Sequence, residues 1–167
     1  MDVNFRIRKA SYTKDLDTIF ELVNDNNGKD IFLNHLRLGE DKHDEKVKTF
    51  VEDAWVYVIE ERVIGCVVMR SNIYENLIPK GWNIVEGLTV HPSYQGQGIG
   101  SKLMDFIEGL GFPLLLGVYE PHQRVQEFYK RRGYTAVKSI PVATWVSPEK
   151  LIDPDVKVVM FQKDIST

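Results

Sequence analysis

The stretch Ile84-Val85-Glu86-Gly87-Leu88-Thr89-Val90-His91-Pro92-Ser93-Tyr94-Gln95-Gly96-Gln97-Gly98-Ile99-Gly100-Ser101-Lys102-Leu103 reads as a strand, a glycine-rich turn and a helix. The strand is the β-branched and apolar run Ile84 to Val90. Pro92 stops it, because proline has no N–H for a ladder and pushes His91 into an extended conformation. The helix follows Gly100, with Ile99, Leu103, Phe106, Ile107 and Leu110 spaced as one apolar stripe. Between strand and helix, glycine at every second position (Gly96, Gly98, Gly100) lets the backbone bend with its N–H groups turned inward. The helix start adds its own amides and the positive end of its dipole, which makes an anion site best suited to phosphate.

Two common phosphate loops do not fit. A Walker loop ends Gly-Lys-Ser/Thr, whereas the order here is Gly100, Ser101, Lys102. The dinucleotide fingerprint needs its third glycine where Ser101 stands. What remains, Gln95-x-x-Gly98-x-Gly100 after Val90-His91-Pro92, resembles the acyl-CoA pyrophosphate loop of the GNAT superfamily of N-acyltransferases. The later stretch Phe128-Tyr129-Lys130-Arg131-Arg132-Gly133-Tyr134 is similar to that family's second signature, and the resemblance extends over most of the chain.

Composition bounds the rest. A chain of 167 residues fits a single domain, 1–167, able to bury a core without disulfides or metals. Hydrophobic residues at 43% with 27% charged are those of a soluble globular protein, and no apolar run approaches the ~20 residues of a membrane span. Asp2, Asn4, Arg6 and Arg8 near the N-terminus leave no signal-peptide core, so a cytoplasmic protein without membrane partner is expected. The single cysteine, Cys66, lies in an apolar run and reads as a buried, inert thiol. His35, His43, His91 and His122 lack ligand spacing, so no metal site is predicted. A net charge of −3 speaks against nucleic acid and suits a cationic acceptor.

In chain order, Val3, Phe5 and Ile7 make a first strand, and Thr13 caps a helix with Leu16, Ile19, Phe20 and Val23 on one face, broken by Asn24 to Gly28. A second helical region is predicted over Ile31 to Leu38, and another turn or two toward Glu52 carries Val47, Phe50 and Val51. Ala54 to Glu60 and Val63 to Arg70 form a hairpin around Glu61-Arg62, and Ser71 to Gly81 is a loop. Leu114 to Tyr119 is a buried strand. Pro121 opens a helix with Val125, Phe128 and Tyr129 on one face, ended by Gly133. Strands follow at Tyr134 to Ile140, Val142 to Val146 and Val156 to Phe161, the last two linked by a loop over Ser147 to Asp155. This element order is the one expected of the α+β GNAT fold, a mixed, twisted six- to seven-stranded sheet flanked by helices.

The resemblance implies a site. Backbone groups of Leu88, Thr89 and Val90 would bond the pantetheine arm of acetyl-CoA, the acyl-donor substrate. Its pyrophosphate would lie on the amides of Gln97, Gly98, Gly100 and Ser101, with the Gln95 side chain and Ser101 hydroxyl close by and Gly96 allowing close approach. Tyr129 matches the tyrosine that protonates the coenzyme A sulfur; a phenol of pKa ~10 can donate to a thiolate whose conjugate acid lies near ~8.5. The other reading of Tyr129 is a core tyrosine. The Leu88 N–H would act as oxyanion donor. Glu86, on the central strand, is the candidate base, or else a salt-bridged or solvent-facing glutamate. Strand alternation puts Glu86, Leu88 and Val90 on one face unless a bulge near Gly87 reverses the direction.

One position departs from the family. Most members carry a coenzyme-binding asparagine six residues before Phe128, where this chain has His122, with Val125 in place of an alanine. The imidazole could donate to the coenzyme, serve in proton transfer, or be a surface residue at a helix start. His91 reads as structural. Trp82, Tyr74 and Trp145 line an acceptor pocket or pack the sheet edge.

The resulting expectation is an N-acetyltransferase moving an acetyl group to a primary amine, in a small molecule or a peptide or protein, by direct transfer in a ternary complex. The alternative is a non-catalytic acyl-CoA-binding sensor or interaction module. The resemblance implies an acceptor cleft lined by the helical region near residues 24–40 and the link at 144–155, and those segments hold Asp25, Asp30, Glu40, Glu149, Asp153 and Asp155 against Lys29, Arg37 and Lys150, a mild hint of a cationic acceptor. A homodimer stays open.

Overall fold

The computed structural model describes residues 4–28, 38–71, 79–141 and 155–165. Most of the helix expected over 31–38 and of the loops expected over 71–81 and 147–155, the strand expected over 142–146, and the pocket residues Tyr74 and Trp145 lie outside them. The chain forms two compact units, the first of residues 1–70 and 85–110, the second of residues 71–84 and 111–167.

In the first unit the strands β1 (Phe5–Lys9), β2 (Ala54–Ile59), β3 (Arg62–Arg70) and β4 (Asn83–Val90, from Val85 onward in this unit) lie in that order. β1 and β2 are antiparallel with Ile7 opposite Tyr57, and β2 and β3 antiparallel with Val56 opposite Cys66. Helices α1 (Tyr12–Gly28) and α2 (Glu45–Glu52) cover one face, where Ile19, Val23, Val47 and Val51 pack with Val56, Val58, Cys66 and Val68. Helix α3 (Ile99–Gly109) covers the other. A Cβ on Gly65 would stand 3.3 Å from the Leu103 Cδ1 and 3.2 Å from the Thr89 carbonyl, so this glycine leaves room for α3 to lie close to β3. Trp55 meets Phe106 there at 4.8 Å between ring centroids.

Several boundaries differ from the sequence pattern, each for a local reason. Helix α1 begins at Tyr12, ahead of Thr13, because the Asp15 carboxylate reaches back to accept the Ser11 N–H at 2.7 Å. It does not break at Asn24 but runs to Gly28. Asn24 accepts the Leu38 N–H at 2.6 Å and donates to the Gly39 carbonyl at 3.0 Å, so its amide serves a tertiary contact instead of a turn. The hairpin turn is Glu60-Glu61, with φ of 47° and 66°, one residue earlier than expected. An irregularity between Tyr57 and Val58 shifts the register, a shift that alternation cannot reveal. Helix α2 has Asp44 as its cap, accepting the Lys46 N–H, and buries Val47, Phe50 and Val51 as expected.

The second unit holds β5 (Leu114–Tyr119), α4 (Gln123–Arg131), β6 (Thr135–Pro141) and β7 (Lys157–Lys163). β7 is central, antiparallel to β5 with Gly117 opposite Met160 and to β6 with Ser139 opposite Val159. Val158, Met160 and Phe161 are buried, while β6 is largely exposed. Gly133, at φ 91°, follows α4, where the Lys163 ammonium donates to the Arg132 carbonyl.

Candidate active site

The turn after β4 is built from its own backbone. The His91 N–H donates to the Ile64 carbonyl at 2.7 Å, and the His91 Nδ1 accepts the Ser93 N–H at 3.1 Å, opening a single 3-10 turn over Pro92–Tyr94. His91 is thus the structural residue the sequence pointed to. The Gln95 amide donates to the Val90 carbonyl at 3.0 Å, tying the loop's first residue back to the end of the strand. Gly96 and Gly98 follow at φ 79° and 80°, conformations that cost other residues strain, and no atom lies within 4 Å of where a Cβ would stand on either.

Gly98 is the cap residue of α3, and no side chain caps this helix start. The first α-helical bond runs from the Lys102 N–H to the Gly98 carbonyl at 3.1 Å, so the amides of Ile99, Gly100 and Ser101 open the helix. Gly100 lies in ordinary helical backbone, and a Cβ there would stand 4.0 Å from the Leu88 Cδ2. An uncapped helix start behind two left-handed glycines, open on the outside, presents donors and a positive dipole end to an anion. Ile99, Leu103, Met104 and Ile107 anchor α3, while Leu110, expected on the same stripe, is exposed beyond the helix end.

The strand that carries Glu86 is irregular. Gly87 has φ 62°, and a Cβ there would stand 2.6 Å from the Phe50 Cζ of α2. Glu86 also turns toward that face: its Oε2 is 3.7 Å from the Arg70 Nε. Two successive residues on one face make a bulge, and Leu88 falls on the opposite face, beside Gly100 of α3. Of the two directions the sequence left open, Glu86 and Leu88 on one face or turned apart by an irregularity near Gly87, the structure takes the second. Thr89 is buried and its hydroxyl donates to the Gly87 carbonyl at 3.1 Å, so the bulge consumes this side chain. The Cys66 thiol faces the same carbonyl at 3.6 Å, and burial pushes it up to about 12. A thiol held so far above neutrality is no nucleophile.

In the second unit Tyr129 is buried, its ring edge-on to Phe128 at 5.0 Å and to Tyr134 at 5.5 Å. His122 stands at the start of α4 without capping it through its side chain, edge-on to Tyr119 at 5.7 Å. The residue that fastens this helix is Gln126, which the sequence reading passed over. It is 6% exposed, and its amide donates to the Glu120 carbonyl at 2.7 Å and the Tyr119 carbonyl at 3.3 Å, at the end of β5. Its place three residues before Tyr129 was the available signal, since that spacing shares a helix face. Val125, expected on the buried face, is 41% exposed. Trp82 packs with Ile84 and Leu115. Among the described residues no group of three or more His, Cys, Asp or Glu is gathered as for a metal ion, and no helix is long and apolar enough to cross a membrane.

The family model of the acetyltransferase (GNAT) domain matches residues 51–136, from α2 through the loop and α3 to β6. The chain belongs to the GNAT family. Its fold is that of GNAT structures of low sequence identity. An N-acetyltransferase of Staphylococcus aureus Mu50 superposes with a TM-score of 0.73 at 16% identity, over 97% of this chain and 99% of that one. The protein yncA of Salmonella typhimurium, solved with acetyl-CoA, gives 0.74 at 16% identity, over 98% and 95%. Arabidopsis thaliana Naa50, in complex with the bisubstrate analogue CoA-Ac-MVNAL, gives 0.67 at 17% identity, over 96% and 99%. No curated protein sequence matches the chain. The α+β class and mixed, helix-flanked sheet expected from the element order are those of this GNAT fold.

Proposed function

We propose that this GNAT protein transfers an acetyl group from acetyl-CoA to a primary amine, of a small molecule or a peptide or protein, by direct transfer in a ternary complex. The observation that carries the reading is the uncapped start of α3 behind Gly96 and Gly98, a donor-lined turn open to a pyrophosphate. The amides of Gln97, Gly98, Gly100 and Ser101 hold that group, with the Ser101 hydroxyl beside them, and backbone groups of Leu88, Thr89 and Val90 hold the pantetheine arm. Gln95 acts by fixing the loop through its bond to Val90. Two structural relatives, yncA with acetyl-CoA and Naa50 with an analogue joining CoA to a peptide, support this choice of donor and the inclusion of peptides among acceptors.

In this reading the amine nitrogen attacks the thioester carbonyl carbon, the Leu88 N–H stabilises the developing oxyanion, and Glu86 accepts the amine proton. As the C–S bond breaks, Tyr129 gives its proton to the departing thiolate. Positioning the two substrates contributes ~7–11 kcal/mol toward the barrier. The sole cysteine, buried with its thiol pushed up to about 12, supports direct transfer over an acyl-cysteine intermediate.

The test is thiol release from acetyl-CoA across polyamines, aminoglycosides, amino acids and short peptides, beside Tyr129→Phe. The reading expects release with one acceptor class and a loss of about 10²-fold or more in the variant. His122, at the position of the usual asparagine, favours a second reading, a non-catalytic acyl-CoA-binding sensor. Binding of acetyl-CoA with no acceptor-dependent release would establish the sensor and overturn the enzyme.

A further inference from the structure

Arg70, at the end of β3, faces the proposed base. Its Nε lies 3.7 Å from the Glu86 carboxylate and 3.4 Å from the carboxylate of Asp53, the residue that closes α2. Its guanidinium sits over the Phe50 ring at 5.3 Å. The Arg70 side chain is 12% exposed, against 25% for Glu86 and 39% for Asp53. One largely buried cation thus serves two carboxylates, with the more exposed one at the shorter distance.

We infer that Arg70 sets the acceptor class, restricting transfer to amines of low basicity, the α-amino group of a peptide, against lysine-like amines and polyamines. The inference rests on Glu86 being the proton acceptor of the proposed transfer. A carboxylate that already faces a guanidinium has part of its charge answered at close range, so it draws a second cation weakly. An amine that must arrive as an ammonium and be held by Glu86 before losing its proton is therefore at a disadvantage. An amine that arrives neutral is not. At pH 7.5 an α-amino group, with a pKa near ~7.8, is neutral in roughly a third of molecules, whereas a lysine amine, near ~10.4, is neutral in about one in a thousand. Asp53 gives the arrangement its adjustable part. It can take Arg70 more fully when Glu86 picks up the amine proton, so the guanidinium is never left buried without a counter-charge.

The experiment compares kcat and KM for three acceptors: a lysine-free peptide with a free N-terminus, the same peptide N-terminally blocked and carrying one lysine, and spermidine. The wild-type protein is expected to favour the free α-amine by about 10²-fold in kcat/KM. Arg70→Met is expected to narrow that ratio at least tenfold, chiefly through a lower KM for the lysine peptide and spermidine, and Arg70→Lys to restore it. Loss of packing alone would lower turnover for all three acceptors together. Should Arg70→Met fail to fold, Asp53→Asn carries the test, since it leaves Arg70 wholly to Glu86 and is expected to widen the ratio. A wild-type preference for the lysine peptide or spermidine, or a ratio unmoved by these variants, overturns the inference while leaving the acetyltransferase reading intact. Absence of release with every acceptor overturns both.

Discussion

The Phe50 ring of α2 fills the space that a side chain at Gly87 would need: its Cζ is 2.6 Å from the ideal Cβ position. Gly87 also sits at φ 62°. Together they aim Glu86 and the backbone of Gly87 at one face of β4 and Leu88 at the other. Gly87→Ala meets both the left-handed strain and the clash and is expected to destabilise the protein by about 2–4 kcal/mol. Combining it with Phe50→Leu removes part of the clash, so the double variant should be more stable than the sum of the singles, with a coupling of about 1 kcal/mol. Urea unfolding of the four proteins measures it.

Asp15 is the most buried carboxylate among the described residues with a full set of partners: Arg8 Nη1 and Nη2 at 2.7 and 2.9 Å and the Ser11 N–H at 2.7 Å. Burial alone would push its carboxyl up, but the Arg8 bonds, the Ser11 amide and the charges of Arg8 and Lys14 outweigh it and hold Asp15 below the ordinary carboxylate range. A folded-state value below the unfolded one means stabilisation that is present above about pH 4 and lost as pH falls through the folded value. Asp15→Asn is expected to cost about 2–3 kcal/mol at pH 7, less than a fully buried pair because Arg8 is partly exposed. The gap between wild type and variant should stay constant from pH 5 to 8 and close below about pH 4, as followed by urea midpoints.

Gly98 tests the donor loop. Alanine at φ 80° costs about 1–2 kcal/mol of strain, which the chain can relieve by turning the amides that open α3. Gly98→Ala is therefore expected to weaken acetyl-CoA binding by about tenfold in titration calorimetry. Gly98→Asn, which tolerates the left-handed region, should weaken it less. Equal affinity in all three proteins would remove the loop from the binding site.

Gln126 holds two carbonyls at the end of β5 from inside α4. Gln126→Leu keeps the bulk and removes the donor, so a loss of about 1–3 kcal/mol is expected. Arg124→Ala, on the exposed side of the same helix, should change stability by less than about 0.5 kcal/mol. Thermal melting of the two variants separates a fastened helix from one held by apolar contact alone.

How much of this was legible beforehand depended on whether the signal was local. Gly96 and Gly98 announce a turn that other residues enter only with strain, and Pro92 announces the end of β4, so the strand, loop and helix were readable from adjacent residues. The hairpin was readable from two runs rich in Val and Ile, and α2 from the stripe of Val47, Phe50 and Val51. The run Asn24 to Gly28 misled because its asparagine amide is spent on Gly39 and Leu38, far along the chain. Val125 misled because Gln126 took the buried side of α4.

The sequence by itself determined the glycine loop and the order of the described strands and helices, since each rests on backbone chemistry or periodicity expressed within a few residues, and the loop and the Phe128–Tyr134 stretch carried the resemblance to the family. The tertiary structure alone decided which way Glu86 points and what it meets. That outcome depends on the left-handed Gly87 packed on Phe50 and on Arg70 lying between Glu86 and Asp53. These residues come from α2, β3 and β4, and no spacing along one chain can encode a charge balance that exists only once three elements are packed together.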